Sequence, residues 1–143
     1  MQIKLEGVFM TLEIGANATI EFKVEAKDLA KNLGISSDDN FPPVFATARL
    51  VALMECSAAK VLIPLYGEGQ LSVGVEVNVK HLAPTLEGDT ARSIATFTGM
   101  EGKLYKFSIE VFDSSGKIGE GTHTRAIVTQ ERLMDGANKR AGK

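Results

Sequence analysis

Glu55 and His81 are the residues of this chain best placed by type and spacing to move a proton. From residue 45 to residue 65 the sequence reads FATARLVALMECSAAKVLIPL, and Glu55 is its only carboxylate. At about 100° per residue, Arg49 and Lys60 fall on one side of the helix this stretch implies. Glu55 points roughly 130° away from them, among Ala48, Val51, Ala58, Ala59 and Leu62. A carboxylate in such company loses hydration unless it is paired, hydrogen-bonded or protonated. Two readings stand open: an Arg or Lys arrives from another element, or the acid is kept for its reactivity.

His81 is one of two histidines. Residues 70–80 alternate, with Leu71, Val73, Val75, Val77 and Val79 on one side and Gln70, Ser72, Gly74, Glu76, Asn78 and Lys80 on the other. That period of two predicts a strand whose Leu/Val side faces a core, with His81 as the next inward residue. Pro84 closes the strand because it cannot donate to a central ladder. A carboxylate and an imidazole facing one dry pocket make a general base near neutral pH.

The elements that must carry these groups follow from the same patterns. A first strand is expected near residues 8–12, and residues 18–24 alternate with Ile20, Phe22 and Val24 on one face. A polar stretch, 27–40, precedes Phe41-Pro42-Pro43 at the helix entrance, and Pro64, Gly67 and Gly69 end the helix. Four strands are expected at 70–82, 90–99, 104–112 and 118–130, separated by Gly-containing turns. Residues 1–135 read as a single domain, and the basic tail 136–143, GANKRAGK, is expected to fray.

One long apolar helix between an opening strand and four successive antiparallel strands is an α+β arrangement. Because the helix is apolar around most of its girth, the sheet must curl around it, which is the geometry of a hotdog fold. Such a sheet leaves an open edge and an open helix flank, so a homodimer with its site at the subunit interface is the default expectation.

Bulk properties narrow the function. A formal net charge of −2 makes no electrostatic case for nucleic acid. No apolar run is long enough to span a membrane, and the opening MQIKLEGVFM does not read as a signal peptide. The single Cys56 fits a reducing cytoplasm and supports neither a disulfide nor thiol redox chemistry. Two histidines and one cysteine offer no metal-ligand cluster at usable spacing, so no metal is expected.

The segment 41–85, FPPVFATARLVALMECSAAKVLIPLYGEGQLSVGVEVNVKHLAPT, together with GTHTRA at 121–126, resembles the fluoroacetyl-CoA thioesterase family of hotdog proteins. The resemblance rests on the combination of FAT, LME, VxVxH and GTHxR, and it covers most of the chain after residue 40. It implies catalytic groups at Thr47, Glu55 and His81, with no cofactor beyond a CoA thioester as substrate. It also implies substrate contacts at Phe41 and Phe45, which resemble part of a cap on a small acyl pocket, and at Gly74 and Arg125. Arg125 is left to pair with Glu55, with substrate phosphates or with a surface acid, and His123 is read as structural.

The preceding residues 31–40 depart from the family's cap, so fluoroacetyl selectivity does not follow. Thr47 alone would read as a helix cap. At a spacing of eight, Thr47 and Glu55 share one side of the helix within about 80° but lie roughly 12 Å apart along it. The implied reaction is acyl transfer from a small or medium acyl-CoA to water. Its alternatives are an acyl-thioester hydratase or dehydratase, and a non-catalytic acyl-CoA or lipid-binding module.

Overall fold

The computed structural model describes residues 2–5 and 8–143. Strands β1 (Gln2–Leu5) and β2 (Val8–Thr11) pair with each other antiparallel, the second lying where the first strand is expected. Five further strands form one antiparallel sheet in the order β3-β5-β6-β7-β4. They are β3 (Asn17–Lys23), β4 (Gln70–His81), β5 (Thr90–Glu101), β6 (Leu104–Asp113) and β7 (Gly116–Thr129). Helix α1 (Thr47–Leu62) packs on its concave side.

Why the sheet curls is visible in its irregularities. Register shifts interrupt β4 between Gly74 and Glu76 and β5 between Phe97 and Gly99, and each extra residue bends its strand. Gly99, at φ 139°, takes a conformation that side chains resist. The alternation of β6 puts Tyr105, Phe107, Ile109 and Val111 into the core, where they meet Leu50, Met54, Ala58 and Leu62 of α1. The fold is the expected α+β hotdog arrangement. The sheet buries one stripe of α1 and leaves Ala48, Val51, Ala52, Glu55 and Ala59 exposed or only partly covered.

Two details depart from the sequence pattern. The valine stripe of β4 does not keep one face: Ser72 and Gly74 point toward α1 before the bulge, and Val79 and His81 do so after it. Val75 is the extra residue and is 54% exposed. The tail is also helical to Arg140, in α2 (Gln130–Arg140), rather than frayed from residue 136. Glu131 in its first turn and Lys139 and Arg140 in its last complement the helix dipole, a signal that small-residue composition hides. Among the described residues no helix is long and apolar enough to cross a membrane.

Candidate active site

The entrance to α1 is braced before any catalytic group appears. The buried Asp28 carboxylate accepts the Glu25 N–H at 2.9 Å and pairs with Arg49 at 3.5 Å, while the Asp28 carbonyl accepts the Ala46 N–H at 2.9 Å. On the other side the Phe45 N–H donates to the Thr85 carbonyl at 2.9 Å. The N-cap is Ala46, which has no side-chain cap bond, so Thr47 is the first helical residue and its hydroxyl is not spent on capping. Instead Thr47 Oγ1 lies 2.8 Å from His81 Nδ1.

His81 sits at the end of β4 with its ring edge-on to Phe45, centroids 6.5 Å apart. Its Nε2 is buried without a hydrogen-bond partner, and burial pushes its pKa below the ordinary imidazole value. Thr47, His81, Phe41, Phe45, Val44 and Leu82 line a cleft of about 380 Å³. Phe41 is half-exposed at this cleft, whereas Phe45 is buried and serves as wall and core together.

Glu55 belongs to a second cluster. Arg125 Nη1 donates to Glu55 Oε1 at 3.1 Å, its Nε donates to Ser72 Oγ at 2.8 Å, and its Nη2 donates to the Ser72 carbonyl at 2.8 Å. Tyr66 reinforces this by donating its phenol O–H to Ser72 Oγ at 2.7 Å. Gly74 faces the same carboxylate: a Cβ there would overlap Glu55 Oε1 and come within 3.2 Å of His123 Cε1. The missing side chain makes room for the acid.

The structure adds to three of the sequence readings here. Within one chain Glu55 is not sealed in an apolar face, because its side chain is 39% exposed and paired with a cation. Of the partners left open for Arg125, the structure supplies Glu55: the side chain is 6% exposed and bonded to Glu55 and Ser72. His123 does more than fill space, since its Nε2 lies 3.1 Å from Arg125 Nη1. The structure brings Thr47 to His81 and Glu55 to Gly74 and Arg125, but it does not bring Thr47 to Glu55. Ser72 and Tyr66 carried no sequence signal: Ser72 lies on the side of β4 read as outward, and Tyr66 lies in the turn that follows α1. Among the described residues no group of three or more His, Cys, Asp or Glu side chains could hold a metal ion.

The model of the fluoroacetyl-CoA-specific thioesterase family matches residues 24–131. The chain belongs to that family. It is 31% identical over 124 residues to the fluoroacetyl-CoA thioesterase of Streptantibioticus cattleyicolor, covering 85% of this chain and 89% of the relative. The solved fluoroacetyl-CoA thioesterase FlK superposes with a TM-score of 0.86 at 29% identity, over 91% of this chain and 98% of that one. A hot-dog-like protein from Thermanaerovibrio acidaminovorans gives a TM-score of 0.77 at 27% identity, over 89% and 91% of the two chains. The family match spans α1 and β4 to β7, and so includes every side chain of both clusters.

Proposed function

We propose that this member of the thioesterase family hydrolyses a small or medium acyl-CoA thioester to the free acid and CoA, with Thr47, Glu55 and His81 at the site. The observation that carries the reading is the Thr47–His81 contact at the mouth of an apolar cleft, 2.8 Å long and unexplained by helix capping. A water oxygen attacks the thioester carbonyl carbon, and Glu55 takes the proton that the water gives up. The C–S bond then breaks, and His81 relays the proton taken up by Glu55 to the departing thiolate, which returns both groups to their starting state. Thr47 orients His81 or the carbonyl through its hydroxyl, and Phe41 and Phe45 with Gly74 shape the acyl end.

Thr47 and Glu55 lie about 12 Å apart along one helix, too far to act on one carbonyl from one chain. The reading therefore includes a homodimer, in which a second copy offers its Glu55 to this copy's Thr47 and His81. Support comes from β4, whose outer edge is unpaired in the sheet and carries the exposed Val75 and Val77. The unpaired Cys56 accords with a cytoplasmic setting.

The test is hydrolysis of a panel of acyl-CoAs, from acetyl to long-chain and aryl, by wild type and Glu55→Gln. Loss of the thioester should be followed by ultraviolet absorbance, because Cys56 is exposed and would react with a thiol reagent. Turnover that vanishes in Glu55→Gln supports the assignment. Tight binding of CoA esters without turnover would replace it with a carrier or sensor.

A further inference from the structure

His123 is buried, 1% exposed, beneath the Glu55 cluster, and its surroundings fix which ring nitrogen carries the proton. Its Nδ1 lies 2.7 Å from the Glu76 carbonyl, which can only accept, so Nδ1 is the protonated nitrogen. Nε2 is then a bare lone pair, and it faces Arg125 Nη1 at 3.1 Å. Nη1 has two hydrogens. One goes to Glu55 Oε1 and the other to His123 Nε2, each at 3.1 Å. With Nε and Nη2 bound to Ser72, the guanidinium is held on every side but one.

We infer that His123 is a positioning residue for the reaction proposed above: its Nε2 lone pair fixes the Arg125 fork so that Nη1 holds Glu55 Oε1 and leaves Oε2 to the substrate side. Among the described residues no hydrogen bond within the chain reaches Oε2. The relay starts at the β4 bulge, since Glu76 directly follows the extra Val75 and offers its carbonyl to the ring. Space and stacking complete it, with Gly74 lacking a Cβ on one side and the Phe107 ring 6.4 Å away on another.

The arrangement exists only while His123 is neutral. An imidazolium would turn its Nε2 N–H against the Arg125 N–H and lose the acceptor. The charged groups facing the ring are Arg125 from β7 and Glu55 from α1; β4 contributes the Glu76 carbonyl and β6 the Phe107 ring. Burial foremost, then Arg125, lowers the His123 pKa, against opposing contributions from Glu76 and Glu55.

The inference rests on the thioesterase reading, so its test has one arm that needs no activity. In ¹⁵N NMR of the full chain, where two histidines give two ring systems, His123 should carry its proton on Nδ1 with Nε2 bare at neutral pH. An Nε2–H tautomer or an imidazolium would overturn the inference whether or not any thioester is cleaved. The second arm uses three variants. His123→Gln keeps an acceptor near the Nε2 position, His123→Asn keeps a donor toward Glu76, and His123→Phe keeps the packing on Phe107.

Only His123→Gln should retain kcat within about threefold, while the other two lose about tenfold or more with KM little changed. In a Glu55→Gln background the difference among the three should disappear. Equal losses in all three, following their melting points, would make His123 structural only. If wild type cleaves no thioester, the functional reading falls. Slowed Arg125 Nη exchange in wild type and His123→Gln but not in His123→Phe would then still uphold the tether, and equal exchange in all three would sink it.

Discussion

Thr47 and His81 come from different elements, yet the hydroxyl of one meets Nδ1 of the other at 2.8 Å where a helix cap would ordinarily claim it. Ala46 takes the capping position without a side-chain bond, so the first turn of α1 forgoes a stabilising contact worth about 1 kcal/mol. The fold has favoured a contact between elements over one within the helix.

Removing that contact should cost activity more than stability. Thr47→Val leaves His81 Nδ1 without its partner, and kcat should fall by about tenfold to a hundredfold. Thr47→Ser, which keeps the hydroxyl, should stay within a few-fold. Steady-state kinetics on the preferred acyl-CoA decides it, and equal rates for the two variants would reduce Thr47 to a helix residue.

Glu55→Gln keeps the shape of the side chain and an acceptor for Arg125. Its kcat should fall by about a hundredfold or more, as expected when a general base is lost, while the melting temperature changes little. A large fall in melting temperature with activity retained would mean that the Glu55–Arg125 pair serves the fold alone. Calorimetry beside the kinetic assay separates the two.

Gly74→Ala puts a methyl where Glu55 Oε1 now lies, so one of them must move. Overpacking of this kind costs about 1–3 kcal/mol, and activity should fall with stability. Glu55→Asp shortens the acid and relieves the overlap. The double variant should therefore be less destabilised than the sum of the two single changes, a coupling that chemical denaturation can measure.

The two histidines predict a pH dependence of folding. Burial holds both His81 and His123 below the ordinary value of 6.5, to which both return on unfolding. Between the folded and unfolded values the unfolded chain binds more protons, so stability rises with pH. The contribution is complete above 6.5 and is lost as pH falls through the folded values. Urea midpoints should be lower at about pH 5.5 than at about pH 7.5, and the His81→Gln/His123→Gln double variant should flatten the difference. An unchanged slope in that variant would assign it to carboxylates.

The sequence carries the fold in its periodicities: the stripe of Tyr105, Phe107, Ile109 and Val111 needs only a ruler of two to be read as a core-facing strand. The same ruler fails on β4, because a bulge is one surplus residue and leaves no mark in a run of Val and Gly. Glu55 stands out because a lone acid in an apolar helix needs a partner or solvent. What it meets is not legible, since Ser72, His123 and Arg125 come from strands whose pairing depends on that bulge. Thr47 is ambiguous for another reason. A hydroxyl at a helix entrance serves a cap or a neighbour equally well, and the neighbour is thirty-four positions away.

The bulge at Val75 makes chain length part of the chemistry. Gly74 and His81 are an odd number of residues apart, so an unbroken strand would turn them to opposite faces. One of the two clusters would then look outward: either Glu55 would lose its glycine recess or Thr47 would lose its histidine. What must stay even is the spacing less the bulged residue, so deleting Val75 together with its bulge preserves the arrangement, whereas a deletion that leaves the bulge in place turns one cluster outward. The two halves of the site are kept on the same side by a count in which the bulge and the spacing between Gly74 and His81 must change together.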